Sequence, residues 1–512
     1  MKKREIKLHP AILLFILTIV VMIISSVGGI LNLETTYYNV NTVSGELEAQ
    51  VVTINNLFNR TGLQYLVSSM LNNFTSFAPL GTLIIGLMGV GVAYKSGFLN
   101  TIFKIITKNK PKKLFTFLVV LCGVIFSMFY EAGYVLFLPI AAILFMNLGR
   151  HPAAGVSAAF AGMTFGYGAN IIMNGADNTL LSYTQNATKI LDQNYHVSVS
   201  GNLIFMFFAT LFIAYLGMII TEKFVVPKLG KYTPDEEELA DLEEEVTKKE
   251  VKGVLVSILF TSLITLVLIY CIIPGLPFSG LLLDLKQTTY IARLFGDTSY
   301  FRQGSVLIFS ALLGFAGLMY GIRVKTIKNN KDLVNSMSYY LKGFASLLVL
   351  IFFAAQFCLI FKETNIGVFI VVSLTEMLDG LQLTGITLII LSFLIVLVCT
   401  IFVPALSTKW AIMSPVLVPM FMQNSFTPEF AQAVFRAADS ASKGVTPLFT
   451  YFVILLGFLQ IYNTKKRDVI TLTDGMGLMF PYAVAFSILW LLIILAFYII
   501  GIPLGFNTGV ML

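Results

Sequence analysis

Charged residues are scarce in this sequence, and that scarcity excludes a water-soluble globular protein. Asp, Glu, Lys and Arg make up 12% of the 512 residues, whereas soluble domains carry about 25%. Several apolar runs approach or reach the roughly 20 residues that cross a bilayer, namely residues 11–27, 203–220, 254–273 and 486–502. We therefore predict an all-α, polytopic protein of the inner or plasma membrane, in contact with the lipid bilayer.

Cysteine and histidine are also rare, which limits the chemistry that the chain can perform. The four cysteines lie singly in apolar stretches without a C-x-x-C spacing, so neither a disulfide framework nor a zinc site is predicted. The three histidines are too far apart in sequence to indicate a metal cluster. A metalloenzyme is not expected, and no cofactor is predicted.

The net charge of +7 does not indicate a nucleic-acid partner, because the basic residues are not gathered into one domain. They lie in short connecting segments, at residues 2–4, 104–113, 323–331 and 465–467. The positive-inside rule places these segments and the N-terminus in the cytoplasm. Residues 32–59 contain no Lys or Arg, so this segment is predicted to face outward.

An acidic stretch at residues 222–252 divides the chain into two membrane halves, residues 1–221 and 253–512. We interpret this stretch as a solvated cytoplasmic linker, and a regulatory segment is the alternative.

Each half contains apolar segments that break where a simple span would continue. Two of them, apolar stretches with a Pro or Gly tip, are predicted to be re-entrant hairpins, near residues 77–98 and 402–422. Two others are predicted to be broken helices, near residues 161–185 and 430–455, where Gly or Pro accompanies polar residues. Unwound backbone at membrane depth is tolerated only inside protein or along a cavity. The pattern indicates an inverted-repeat secondary transporter with a cavity for a small-molecule substrate.

The predicted broken helices carry four ionisable residues, Asp177, Arg436, Asp439 and Lys443. Each costs about 2.5–3.5 kcal/mol at the bilayer centre unless it has a partner. One interpretation is structural, with Asp439 neutralising Arg436 on the same helix face. Asp177 has no basic residue nearby in sequence, which favours a partner from the other half, a bound ion or a proton. We interpret Asp177 and Asp439 as functional.

Trp410 and Glu131 also stand out from their apolar surroundings. Trp410 follows Ser407 at the predicted hairpin tip, where hydroxyl groups and an aromatic face beside a helix N-terminus suit an anionic, aromatic solute. The alternative is that Trp410 anchors the chain at the membrane interface. Glu131 interrupts the apolar residues 114–148, either as a proton carrier or as a polar residue at a turn.

These segments resemble the AbgT family of p-aminobenzoyl-glutamate transporters. The matching stretches follow the family's order across nearly the whole chain and include Ala78-Pro-Leu-Gly-Thr, Leu148-Gly-Arg-His-Pro, Ser407-Thr-Lys-Trp-Ala-Ile-Met-Ser-Pro, Asp439-Ser and Pro481-Tyr. The resemblance implies a homodimer with two hairpins and two broken helices per subunit. It also implies import of p-aminobenzoyl-glutamate or efflux of sulfonamide-type antimetabolites, with Na⁺ or H⁺ as the coupling ion.

The resemblance and the interrupted segments together give two sets of candidate residues. The candidate substrate-binding residues are Asp177, Ser407, Trp410, Arg436, Asp439 and Pro447. The candidate ion or coupling residues are Asn170, Asn174, Thr400, Asp439, Lys443 and Glu131. A Na⁺ site is predicted near Asp177 and Asp439.

The chain departs from the family pattern at three of these positions. Thr400 and Lys443 stand where the resemblance leads us to expect asparagines, and Glu131 stands where aspartate is more frequent. A lysine ammonium can occupy the space and charge of Na⁺ while it donates hydrogen bonds to unwound carbonyls. Our hypothesis is that Lys443 replaces one Na⁺ and weakens the dependence of transport on sodium.

Two other functions are weighed against this one. A di- or tricarboxylate uptake transporter is the closer alternative, although Trp410 and the family motifs argue against it. An intramembrane enzyme would use the buried carboxylates as acid and base, but no nucleophile lies beside a histidine in the interrupted segments.

Overall fold

The computed structural model describes residues 8–40, 47–234, 239, 242, 244–463 and 469–512. The basic segments at residues 2–4 and 465–467, and most acidic residues of the predicted linker, lie outside the described residues. Within the described residues, nine helical segments are long and apolar enough to cross a membrane. The predicted all-α membrane fold is confirmed.

The first half consists of helices and one antiparallel β-hairpin. The helices are α1 (Pro10–Ile30), α2 (Arg60–Thr75), α3 (Ala78–Lys95), α4 (Phe98–Thr107), α5 (Lys112–Phe126), α6 (Leu138–Asn147), α7 (Pro152–Phe165), α8 (Gly175–Thr188), α9 (Leu203–Ile220) and α10 (Val226–Leu229). The strands β1 (Glu34–Val40) and β2 (Leu47–Thr53) follow α1 and pair with Glu34 opposite Thr53.

The regular elements of the second half, in its described residues, are helices apart from two isolated β-bridges. Its helices are α11 (Lys248–Ile272), α12 (Tyr290–Phe295), α13 (Tyr300–Val324), α14 (Asn330–Met337), α15 (Phe344–Glu363), α16 (Ile366–Gly380), α17 (Gly385–Phe402), α18 (Leu406–Gln423), α19 (Pro428–Ser442), α20 (Phe452–Ile461) and α21 (Leu472–Ile500). Helices at the periphery expose Leu, Ile, Val and Phe side chains, as expected where lipid is the solvent.

A helical hairpin in the first half is formed by α5 and α6, and the prediction of one near residues 77–98 is wrong. That the hairpins are re-entrant stays a prediction. Residues 78–95 form α3, which has no internal break. Helix α5 continues through a 3₁₀ turn to Phe129, and the helical backbone is interrupted at Tyr130, whose φ is +48°. Arg150, just after α6, donates a hydrogen bond to Thr116 near the start of α5 (2.8 Å). The two ends of this hairpin therefore lie close together.

The glycines that suggested a hairpin tip in α3 serve helix packing instead. A Cβ atom at Gly86 would collide with the side chain of Val135, and one at Gly89 with the backbone of Ser310. These two positions thus let α3 approach the segment before α6 and the helix α13 closely. Glycine in a membrane helix commonly marks such close contact as well as a break.

The hairpin of the second half is formed by α17 and α18, with its tip at residues 403–405. Asn424, just after α18, donates a hydrogen bond to the carbonyl of Leu383, just before α17 (3.4 Å). The two ends of the hairpin therefore lie together. The hairpin begins at Gly385, earlier than the predicted 402–422, because all of α17 belongs to it.

Each hairpin is followed by a broken helix. The first break separates α7 from α8 at residues 166–174, and the second separates α19 from α20, with a 3₁₀ turn at Lys443–Val445. The same order of hairpin and broken helix thus occurs in both halves. That the halves are related by inversion stays a prediction.

The segment between the halves is shorter than the predicted 222–252. The helical backbone continues from α9 through Leu229, and α11 already begins at Lys248. Glu222 is not solvated, because it pairs with Arg150 (Nη2 to Oε2, 2.8 Å) and accepts a hydrogen bond from Thr116 (2.5 Å). This cluster holds the ends of the first hairpin against α9.

Candidate substrate and coupling site

A cavity of about 760 Å³ lies where the interrupted segments meet. Its walls come from the tip of the second hairpin, the second broken helix, the segment between α5 and α6, and the ends of α2 and α15. At one end it reaches the exposed Lys362. The neighbouring Glu363 accepts a hydrogen bond on its backbone carbonyl from Asn55, which follows β2 (2.7 Å). The cavity therefore opens on the side of the β-hairpin.

Aromatic side chains form much of the cavity wall. Tyr130, Tyr134, Tyr167 and Tyr451 all line it. The rings of Tyr134 and Tyr451 are stacked, with centroids 4.5 Å apart and planes 6° apart. The volume lies within the range of about 300–1,000 Å³ that is usual for small-molecule sites. Rigid rings with polar hydroxyl groups suit a solute that is itself aromatic and partly polar.

A cluster of three buried charges lies beside the cavity. Lys409 and Lys443 each donate to a different oxygen of Asp439, and both N–O distances are 2.6 Å. The Asp439 and Lys409 side chains are fully buried, and that of Lys443 is 5% exposed. The pair of Asp439 and Lys443 lies within one helix turn, whereas Lys409 comes from α18. The cluster thus joins the second hairpin to the second broken helix.

The two lysines of this cluster have different surroundings. Lys409 also donates to the hydroxyl of Thr400 (2.5 Å) and to the carbonyl of Val403 (3.1 Å), which uses all three N–H donors of an ammonium group. Lys443 lies over the ring of Tyr167, 4.3 Å from its centroid, and lines the cavity, whereas Lys409 does not. In the part of the chain that the structure describes, Asp439 is the one hydrogen-bond acceptor of Lys443.

The residues around Asp439 do not fit a bound sodium ion. Both carboxylate oxygens already accept hydrogen bonds from ammonium groups, and a cation beside them would face two positive charges. Thr400, a predicted ion residue, accepts its hydrogen bond from Lys409. Sequence reasoning missed Lys409, although a lysine beside Trp410 at a hairpin tip within the membrane was a visible signal.

Asp177 and Arg436 form a second buried pair, between α8 and α19. The guanidinium of Arg436 contacts Oδ1 of Asp177, and the two side chains are 1% and 3% exposed. The interpretation that Asp439 neutralises Arg436 is wrong, because Asp439 is already held by two lysines. The partner of Asp177 comes from the other half of the chain, which was one of the alternatives that the sequence left open.

The position of Asp177 follows from the way α8 begins. Asn174 caps the helix by accepting from the amide of Ala176 (2.9 Å), and Asp177 accepts from the amide of Asn174 (2.7 Å). This reciprocal arrangement places a carboxylate at the positive end of the helix dipole. Asn174 therefore orients Asp177, and Asn170 donates to the carbonyl of Val124 (3.3 Å), which ties the break to α5.

Trp410 lies in the protein core, not in the cavity or at the membrane interface. Its side chain is fully buried, and its ring packs on Phe435 with centroids 4.3 Å apart. The indole nitrogen donates to the hydroxyl of Thr184 on α8 (3.0 Å). The interpretation of Trp410 as an interfacial anchor is therefore wrong, and its predicted contact with solute is not available in this conformation.

The other candidates lie around the cavity at varying depth. Ser407 is half-buried and outside the lining, whereas its neighbour Thr408 lines the cavity. Pro447 adjoins the lining and accepts a weak hydrogen bond from Cys358 (3.7 Å). Glu131 accepts from the hydroxyl of Tyr451 (2.5 Å), so it lies directly behind the tyrosine wall.

Comparison with known proteins gives the family that the sequence motifs indicated, along nearly the whole chain. Residues 5–512 match the AbgT putative transporter family. The chain is 30% identical over 500 residues to the p-aminobenzoyl-glutamate transport protein of Escherichia coli (strain K12). The aligned region covers 97% of this chain and 93% of that protein.

Proteins of known structure are also similar to this chain. One is MtrF of Neisseria gonorrhoeae, described among antimetabolite efflux pumps, at 32% identity, 98% coverage of each chain and a TM-score of 0.50. Another is the YdaH transporter of Alcanivorax borkumensis, at 27% identity, 97% coverage of this chain, 100% coverage of that chain and a TM-score of 0.49. An intramembrane enzyme is excluded, because the family, the Escherichia coli relative and MtrF are transporters. The chain belongs to the AbgT family of membrane transporters.

Proposed function

We propose that this protein is a secondary active transporter of p-aminobenzoyl-glutamate-like aromatic anions or of sulfonamide-type antimetabolites. The observation that carries the proposal is the cavity, whose wall combines tyrosine rings, among them Tyr130, Tyr134, Tyr167 and Tyr451, with the ammonium group of Lys443. The rings complement a benzoyl or sulfanilyl group, and the ammonium complements a carboxylate. The names of the relatives in Escherichia coli and Neisseria gonorrhoeae support the same two solute classes.

The chemistry of the cavity favours this solute over a small di- or tricarboxylate. Besides the exposed Lys362, Lys443 is the one cation among the described residues that line the cavity. A small di- or tricarboxylate has no aromatic group, so the tyrosine rings of the wall would be left without an apolar complement.

We place the N-terminus in the cytoplasm and the cavity mouth outside, in a plasma-membrane homodimer. Lys249 at the start of α11 donates to the carbonyl of Val324 at the end of α13 (2.6 Å). Lys104, in another basic segment, donates to the carbonyl of Glu244 (2.7 Å). Segments that the positive-inside rule assigns to the cytoplasm are thus held close together.

Transport of p-aminobenzoyl-glutamate is expected to be independent of sodium and to respond to a pH gradient. The reason is that two ammonium groups occupy the neighbourhood of Asp439, where a sodium ion would bind. The measurement is counterflow of labelled p-aminobenzoyl-glutamate into proteoliposomes, with choline replacing sodium and with pH gradients imposed separately. Flux that rises steeply with a sodium gradient at constant pH contradicts the coupling, and the absence of flux in every condition contradicts the solute class.

Occupation of the cavity by solute can be measured at Cys358, which lines it. In a variant that keeps Cys358 as its single cysteine, p-aminobenzoyl-glutamate at ten times its Kd is expected to slow labelling by a water-soluble methanethiosulfonate roughly tenfold. A matched variant that keeps Cys271, which is half-buried and outside the cavity lining, is the control. Equal labelling of Cys358 with and without solute contradicts binding in this cavity.

A further inference from the structure

We infer that Lys443 is the cation that binds the carboxylate of the solute, and that it changes partner from Asp439 to that carboxylate while Lys409 keeps Asp439 neutralised. This inference rests on the proposed function and adds to it a specific role for each of the two lysines. Lys443 thus binds the substrate, and Lys409 neutralises Asp439 when Lys443 has left it.

Lys443 is positioned at the wall of the cavity. Its ammonium group lies over the ring of Tyr167 (4.3 Å), and both residues line the cavity. The residue belongs to the 3₁₀ turn that ends α19. Its flexible four-carbon side chain can therefore turn from Asp439 towards the cavity without disturbing a regular helix.

The net charge of the cluster also favours binding of an anion. Two ammonium groups surround one carboxylate, so the three side chains together carry a net charge of +1. Burial of an excess positive charge is unfavourable unless an anion accompanies it. A solute carboxylate in the cavity supplies that anion, and the neutral pair of Lys409 and Asp439 remains behind.

This exchange also leaves no charged group without a partner of opposite charge. Lys409 keeps Asp439 (2.6 Å), Thr400 (2.5 Å) and the carbonyl of Val403 (3.1 Å). Lys443 loses one carboxylate and gains another. A cluster with a single lysine would have to leave Asp439 as a buried, unpaired anion to do the same, so the second lysine is what makes the exchange feasible.

A consequence for specificity is that the cavity distinguishes carboxylated aromatic solutes from neutral ones. Both kinds of solute can pack against the tyrosine rings, whereas only a carboxylate can replace Asp439 as the partner of Lys443. A neutral sulfonamide would leave the cluster as it is. Binding of p-aminobenzoyl-glutamate should therefore depend on Lys443 much more than binding of an uncharged analogue does.

The experiment is titration calorimetry of purified protein with p-aminobenzoyl-glutamate and with its uncharged dimethyl ester. Lys443→Met is expected to weaken binding of the diacid about 10- to 100-fold, the range for one charge-assisted hydrogen bond, and to leave binding of the ester within about twofold. Lys443→Arg should retain most of the affinity. The control Lys286→Met, at an exposed lysine outside the cavity lining, should change the affinity for the diacid by less than about threefold.

The possible outcomes separate the inference from the proposed function. Equal losses for diacid and ester in Lys443→Met would assign the lysine a merely structural role and overturn the inference. Unchanged affinity of Lys443→Met for both compounds would also overturn the inference, but it would not contradict the proposed function. If the wild-type protein bound neither compound, both would be overturned. The melting temperature of Lys443→Met should stay close to wild type, because the pair of Lys409 and Asp439 is preserved.

Discussion

Replacement of Asp439 by Asn is expected to abolish transport and to lower the free energy of unfolding by about 3–5 kcal/mol, the range for removing one partner from a buried ion pair. Asp439 accepts hydrogen bonds from Lys409 and Lys443 on its two oxygens. The substitution keeps the size of the side chain and removes its charge, so two buried ammonium groups are left without a carboxylate. Counterflow and thermal unfolding in detergent measure the two effects.

The double variant Asp439→Asn with Lys409→Met gives the matched test of this explanation. It buries one unpaired ammonium group instead of two, so it should recover part of the lost stability but none of the transport. Ser440→Ala is the control on the same helix, because among the residues that the structure describes the Ser440 hydroxyl donates only to the carbonyl of Arg436, one turn earlier (2.9 Å). Wild-type stability of Asp439→Asn would contradict the charge assignment of the cluster.

Replacement of Asp177 by Asn is expected to have an effect of similar size, about 3–5 kcal/mol, with transport reduced to background. An asparagine can still accept the hydrogen bond from the amide of Asn174, so the start of α8 should persist. What is lost is the negative charge that compensates Arg436, which is 1% exposed. Thermal unfolding and counterflow are again the measurements.

A double-mutant cycle shows whether the loss of stability in Asp177→Asn arises from the interaction between Asp177 and Arg436. Asp177→Asn combined with Arg436→Gln removes both charges, so the double variant should be more stable than either single variant. Asn178→Ala is a suitable control, because Asn178 is a half-buried neighbour on α8. Within the described residues its side chain makes only one long hydrogen bond, which it accepts from Thr289 (3.5 Å). A double variant that is no more stable than Arg436→Gln alone would show that Asp177 and Arg436 do not stabilise each other.

The sequence was sufficient for the features that follow from composition and polarity. Long apolar runs predicted the spans, and the family motifs predicted the transporter class. Polar residues beside Gly175 and Pro447 predicted two broken helices because membrane helices seldom carry such residues without a functional reason. Asp177 was predicted to need a partner, since an unpaired carboxylate at this depth is costly, and the structure supplies Arg436.

The features that sequence reasoning missed depend on packing between distant segments. Glycine has the same appearance in sequence whether it ends a helix or lets two helices touch, so α3 was mistaken for a hairpin. Glu131 was the better signal for the first hairpin, because it lies at the actual break between α5 and α6. Lys409 was overlooked because its partner Asp439 is distant in sequence, and the spacing of residues cannot reveal pairs between helices.

The burial of both tryptophans determines what intrinsic fluorescence reports in this protein. Trp410 donates to Thr184 (3.0 Å), which fixes the second hairpin to α8, and Trp490 donates to the carbonyl of Phe165 (3.0 Å), at the end of α7. Neither indole lines the cavity, so direct quenching by a bound solute does not contribute to the signal. A change in emission would instead record movement of the second hairpin or of α21 against the first broken helix. The two tryptophans are thus built-in reporters of the conformational cycle.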